Sequence, residues 1–188
     1  MKRFLASLLI VLLALGASAM AENVEWKFDE SKGTLIQYIG AGGDVTVPAQ
    51  IGSAAVKTLD TGVLAQVSDI TSLTLPETVL HIKDNAGSWN PELVRLSLPQ
   101  SLLVIGSNGF NDCDKLESVT IPAGVRYIGS GAFSDSAMLK SITFEGVCPM
   151  FDGKSFADIA AGAAAYVPDD QLDAYRTAFA AMENDITV

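Results

Sequence analysis

Three segments of this chain repeat one another at a fixed step. "SLTLPETVLHI" begins at Ser72, "RLSLPQSLLVI" at Arg95 and "SVTIPAGVRYI" at Ser118, each 23 residues after the last. Pro76, Pro99 and Pro122 share one slot, Ile82, Ile105 and Ile128 a second, and Leu93, Leu116 and Leu139 a third. A fourth copy, "SITFEGV", starts at Ser141, with Glu145 in the proline slot. An earlier copy, "DVTVPAQIGSAAVKTL", is looser. Leu59 stands 23 residues before Ile82 but Pro48 stands 28 before Pro76, so five extra residues form a loop at "QIGSA". A unit this short cannot close a core alone. It must stack on its neighbours, each turn burying what the previous one exposes.

Within each unit the apolar residues alternate before the proline, the period of a strand with one buried face. Leu73 and Leu75, Leu96 and Leu98, Val119 and Ile121, and Ile142 and Phe144 are expected to point inward. Proline ends the strand because it has no N–H for the ladder. A second short apolar stretch follows ("VLHI", "LLVI", "VRYI"), then a glycine turn. A polar bend such as "NDCDK" or "SDSAM" comes next, expected to be one turn of α- or 3₁₀-helix.

The glycine turn "IGSGAF" (128–133) resembles the start of a phosphate-binding loop, but "IGSNGF" (105–110) repeats it one unit earlier. A feature present once per turn is a geometric requirement, and no long helix follows to aim a dipole at a phosphate. Gly129 is expected to supply a tight or positive-φ corner, with Ala132 and Phe133 in the core. One unit departs from the pattern: Gly87 occupies the slot of Phe110 and Phe133, and Trp89 stands two residues later. Trp89 is expected to fold inward and fill that volume; the rival reading exposes it as part of a binding site.

Both ends need sealing, since a bare solenoid end exposes core and strand edges. "VEWKF" and "GTLIQYI" around "DESKG" read as a hairpin. Leu172, Tyr175, Phe179 and Met182 follow Pro168-Asp169-Asp170 on one helical face and read as an amphipathic cap, with a partner-binding helix as the alternative. Asp169, Asp170 and Asp173 suit the positive end of that helix.

The first residues read as a secretory signal peptide: Lys2 and Arg3, an uncharged run from Phe4 to Gly16, then small residues. The run is too short for a transmembrane helix of about 20 residues. Cleavage is expected after Ala21, and "MENDITV" at the other end has neither a hydrophobic tail nor a basic stop, so the mature protein is expected to carry no covalent anchor. The chain has 12 basic and 22 acidic residues; losing Lys2 and Arg3 leaves a net charge near −12. That argues against nucleic acid and anionic membrane surfaces as partners.

The chemistry-bearing residues are few. His81 is the one histidine, and its equivalents are Val104 and Tyr127, so it occupies an ordinary solenoid slot. A lone histidine is a poor general base or metal site, and two distant cysteines disfavour zinc. Cys113 and Cys148 lie one and a half units apart, on different sides of the solenoid, and are expected to be free and buried. Asp112, Asp114, Asp135 and Asp152 lie on outer turns without the spacing of a calcium loop. No catalytic residue, cofactor or metal site is assigned. The outward strand positions form a hydroxyl ladder with one arginine, and the candidate partner-binding residues are Thr74, Arg95, Ser97, Ser118 and Thr120, with Arg126 and Tyr127 on the second strand.

With these residues in view, the chain resembles the BspA-like leucine-rich repeat family. Leu116, Val119, Ile121, Pro122, Val125, Ile128, Gly129, Ala132, Phe133 and Leu139 match its pattern almost slot by slot, and Ile105, Gly106, Phe110, Cys113 and Leu116 do so one unit earlier. The resemblance covers about residues 24–182. It implies a mainly β chain with short helical turns: a right-handed leucine-rich-repeat solenoid with an N-terminal β-hairpin cap and a C-terminal helix cap. The expected organisation is a leader at 1–21 and one domain at 22–188, with repeats at 45–70, 71–93, 94–116, 117–139 and 140–165 and a cap at 166–188. It also implies an exported, adhesin-like protein in a periplasm, on a cell surface or secreted. Such a protein binds a host or neighbouring-cell protein, without catalysis and without inserting in the membrane, and a monomer is the expectation. A structural or self-associating envelope protein is the alternative, and a glycan-binding module a remote one.

Overall fold

The computed structural model describes residues 10–11, 25–67, 69–182 and 186–188. The expected leader and its cleavage point lie outside these residues apart from Ile10–Val11, which pair antiparallel with Glu25 and Trp26.

From Glu25 onward the chain winds as a β-solenoid with two walls. The first wall is one sheet. The hairpin Glu25–Asp29/Thr34–Tyr38 opens it, and Thr58–Leu59, His81–Ile82, Val104–Ile105, Tyr127–Ile128 and Met150–Phe151 follow in parallel. Leu59 pairs with Ile82, Ile82 with Ile105, and Ile105 with Ile128, so the register is the sequence period itself. The second wall carries Gly43–Thr46, Ile70–Thr74 and Arg95–Ser97 in one sheet and Ser118–Ile121, Ser141–Phe144 and Ala164–Tyr166 in another. The extra residues of the loose early copy fold as a small hairpin, Gln50–Ile51 against Ala54–Ala55.

The second wall is split. No ladder joins Arg95–Ser97 to Ser118–Ile121. Leu96 and Leu98, expected inside, are only half-buried at this break, whereas Leu73, Leu75, Val119, Ile121, Ile142 and Phe144 are buried. An inward-pointing side chain is sealed only when the turns on both sides hold it, and here one side is open.

Two columns of left-handed corners run along the turns that leave the first wall. Gly62, Asn85, Asn108 and Gly131 form one column, with φ from +53° to +67°. Gln66, Trp89, Asp112, Asp135 and Asp158 form the other, with φ from +53° to +61°. The polar bends "NDCDK" and "SDSAM" each close a single turn, Leu116 N–H to the Cys113 carbonyl at 3.0 Å and Leu139 N–H to the Ser136 carbonyl at 2.9 Å, rather than the helix or 3₁₀ expected. Gly129 is not a positive-φ corner either; that role falls to Gly131, at +67°. Gly129 is required for close approach, because a Cβ there would lie 2.6 Å from Ser107 N and 2.8 Å from Gly106 C in the turn below.

Behind the bends runs a phenylalanine stack. Phe110 and Phe133 lie 5.8 Å apart, and Phe133 and Phe156 5.4 Å. All three are buried. Gly87 stands in the same column, and the space it leaves is filled by its neighbour: a Cβ on Gly87 would sit 2.6 Å from Phe110 Cε1. The ring of the next turn thus occupies the slot intended for Trp89. The expectation for Trp89 is therefore corrected, and the residue is 44% exposed on the bend.

The ends are capped as expected. Trp26 and Tyr38 of the hairpin are in contact at 4.6 Å. At the other end one 3₁₀ turn, Asp169–Gln171, leads into helix α1, Leu172–Ala180, which buries Tyr175 and Phe179. Their rings meet Phe144 at 4.8 and 6.0 Å, and Tyr175 Oη donates to the Gly146 carbonyl at 3.2 Å. Met182 is buried on the same face. Cys113 and Cys148 are free. Burial pushes the Cys113 thiol up to about 12, while Cys148, expected to be buried, is half-exposed.

Candidate interaction surfaces

The outer face of the second wall is the hydroxyl ladder read from the sequence. Ser72 is in register with Arg95 and Thr74 with Ser97; beyond the break, Ser118 is in register with Ser141 and Thr120 with Thr143. Thr74, Arg95, Ser97, Ser118 and Thr120 all reach solvent on this wall. Part of it is already engaged internally. Asp44 accepts from Ser72 Oγ at 2.5 Å, Thr71 Oγ1 at 3.2 Å and Arg95 Nη2 at 3.2 Å. These hydroxyls, with Arg95, hold the Asp44 carboxyl below the usual range. Arg95 thus faces solvent with its charge balanced. The ladder ends on an aromatic that sequence reasoning missed: Tyr166 is in register with Thr143 and 59% exposed. Its position one repeat after Thr143 was the available signal.

The outer face of the first wall differs in chemistry. Thr58, His81, Val104, Tyr127 and Met150 stand in register along it. Beside them run Lys57, Leu80, Leu103 and Arg126, one step earlier in each turn. Leu103 is 38% exposed and Met150 73%. A shallow cavity of about 380 Å³ lies on this face, walled by Thr58, His81, Val104, Tyr127 and Lys83. Gly106 lines it too, and a Cβ there would lie 2.6 Å from Asp84 Oδ1, so the turns pack closely at this point. Arg126 Nη1 donates to the Ala123 carbonyl at 2.7 Å, which anchors the guanidinium. Of the candidate residues, Arg126 and Tyr127 therefore share one face with His81, and the other five lie on the second wall. Leu103 and Met150 were not singled out from the sequence; the signal for Met150 was its position one repeat after Tyr127.

The geometry defines a class: a short parallel β-solenoid with leucine-rich-repeat packing, which offers shallow lateral faces. The family follows from the sequence match. A model of the BspA type leucine rich repeat region matches residues 51–183 in six copies, and the chain belongs to that family. The second wall has six strands; the first, Gly43–Thr46, is the strand of the looser early copy, and the last, Ala164–Tyr166, lies at the start of the closing cap.

Solved structures share the fold. A leucine rich cell surface protein from Faecalibacterium prausnitzii superposes with a TM-score of 0.56 at 21% identity, over 65% of this chain and 32% of that one. The leucine rich repeat protein of T. pallidum gives 0.53 at 22% identity, over 87% and 94%. The pneumococcal vaccine antigen PcpA gives 0.55 at 22% identity, over 88% and 46%. The chain thus spans about a third of the first of these and under half of the last. No curated protein sequence matches the chain significantly. Among the described residues no helix is long and apolar enough to cross a membrane.

Proposed function

We propose that the protein is an exported interaction module that binds another protein across the outer face of its first wall, without catalysis. The observation that carries this reading is the row His81, Val104, Tyr127 and Met150, with Leu103 and Arg126 beside it. A half-buried tyrosine beside exposed Met and Arg side chains on one face brings together residue types enriched at protein interfaces. The hydroxyl ladder offers polar contacts but has Tyr166 alone as an aromatic. The family supports export to a cell surface, a periplasm or the medium. A binding role also fits the chemistry of the remaining side chains. Cys113 is buried with its thiol raised, which makes it a poor nucleophile, and His81 lines an open face.

The test is capture of partners from envelope and host-matrix extracts by residues 22–188, followed by affinity measurement with the captured protein. Tyr127→Ala and Leu103→Asp are expected to weaken binding at least tenfold, and Arg95→Ala less than threefold. The reading fails if both first-wall variants bind as the unaltered protein does. Self-association is a second reading, favoured by Met150–Phe151, which is the last strand of its sheet and carries the most exposed methionine among the described residues. Light scattering that shows a concentration-independent monomer would eliminate it.

A further inference from the structure

The bend column holds a second surface whose chemistry is unlike either wall. Trp89, Asp112, Asp135 and Asp158 occupy one corner position in four successive turns. Successive parallel turns stand about 4.8 Å apart, so the column is a row of about 14 Å.

Elsewhere the solenoid alternates its charges from turn to turn. Asp60 pairs with Lys83 at 2.8 Å, Glu92 with Lys115 at 2.5 Å and Glu117 with Lys140 at 2.9 Å. Each pair joins residues one repeat apart. The bend column does the opposite: three aspartates hold the same corner in successive turns, and Asp135 and Asp114 both act on Asp112. Among the described residues none of the four has a basic partner. Like charges directly opposite each other are destabilising. Asp112 registers the strain, its carboxyl being pushed up by burial and then by Asp135 and Asp114.

The local hydrogen bonding is short of donors as well. Asn111, more than nine-tenths buried, gives Nδ2 to Asp112 Oδ2 at 2.6 Å while its own Oδ1 has no partner. Ser134 Oγ gives its proton to Asp135 Oδ2 at 2.9 Å. At the head of the row Trp89 is 44% exposed, with its indole against Asp112. An exposed indole face attracts a cation, and Trp is the residue type most enriched at binding hot spots.

We propose that this column docks an extended segment of a protein partner that carries Lys or Arg at alternate positions. Side chains on one face of an extended chain repeat at about 6.7 Å. Three of them span the row, one over the Trp89 ring and two against the carboxylates. The positive charges they bring are what the column lacks, since none of its aspartates has a basic partner among the described residues. The row suits organic cations better than a metal ion: its carboxylates lie side by side on successive turns, and among the described residues no three acidic, His or Cys groups are placed to hold one ion. The proposal rests on the reading of the protein as an interaction module, but on a separate face.

The test titrates residues 22–188 with an eight-residue peptide of alternating lysine and glycine, with a glutamate–glycine peptide as control, followed by calorimetry at two salt concentrations. Saturable binding is expected for the lysine peptide alone, and it weakens as salt rises. Trp89→Asn, chosen because Asn tolerates a left-handed corner, and Asp112→Asn with Asp135→Asn are each expected to weaken it at least tenfold. Asp169→Asn with Asp170→Asn removes the same charge at helix α1 and is expected to change it less than twofold. Tyr127→Ala is expected to leave it intact, which separates this surface from the first wall. Absence of saturable binding overturns the proposal. Equal losses in the two double variants overturn it in favour of net charge alone, and stoichiometric displacement of the peptide by calcium does so in favour of an ion site.

Discussion

The turn that carries Gly87 and the turns that carry Phe110 and Phe133 meet the same packing demand in opposite ways. The two phenylalanines supply the core volume from their own slots and stack on the next ring in the column. The Gly87 turn supplies none, and the Phe110 ring leans across the turn boundary into the space. Core volume in this solenoid therefore belongs to a column shared between neighbours. The displaced aromatic, Trp89, is free to stand at a corner where three later turns carry aspartate. A missing core residue and a gained surface residue are one change in this molecule.

Truncation of the stack gives the largest expected effect. Phe133 is fully buried between two rings, and Phe133→Ala is expected to cost about 3–5 kcal/mol, the usual range for a buried phenylalanine, measured by urea unfolding. Gly129→Ala comes next. Its Cβ meets the backbone of Ser107 and Gly106, which cannot swing aside, so the cost is expected near the upper end of the about 1–3 kcal/mol typical of overpacking. Gly87→Ala is expected to cost less, about 1–2 kcal/mol by the same principle, because its obstacle is a ring rather than backbone. Phe110→Leu combined with Gly87→Ala would then cost less than the sum of the two single changes. Strict additivity would break the comparison, since it would show that Phe110 does not fill the Gly87 slot.

Much of the architecture was legible because stacking writes itself into spacing. Leu59 was placed opposite Ile82 by counting residues, and the Tyr175–Phe179 face of helix α1 by its period. The five extra residues near Ile51 were read as a loop and fold as a hairpin. What the sequence did not show depends on relations between turns. Gly129 and Gly131 both look like corner residues, and only the structure separates their needs: Gly131 takes φ +67°, whereas Gly129 makes room for Ser107 of the turn below. Leu96 and Leu98 alternate like their equivalents; the break beside them leaves no mark in their own unit. Arg126 and Tyr127 were legible as a pair because they fall one repeat after Leu103 and Val104. Trp89 was misplaced because its slot was judged by what its own turn lacked, while the compensating ring came from the next one.

The smallest expected effect is the sharpest test of that last point. If Trp89 filled the core, its removal would cost as much as that of Phe133. At an exposed corner, Trp89→Asn loses little buried area. It also replaces a bulky residue at φ +54° with one that tolerates the left-handed region better. Against this gain stands the loss of the indole contact, which favours the ionised form of Asp112. The net change is expected within about 0.5 kcal/mol, as for ordinary surface substitutions. Its sign should depend on pH. Asp112 titrates above its unfolded value, so the folded state holds the proton more tightly and stability falls as pH rises from that value through the raised one. Without Trp89 the Asp112 carboxyl rises further, and that fall becomes steeper. Unfolding midpoints of Trp89→Asn and the unaltered protein should therefore agree more closely, or favour the variant, at pH 3 than at pH 7. A loss of several kcal/mol at both values would return Trp89 to the core.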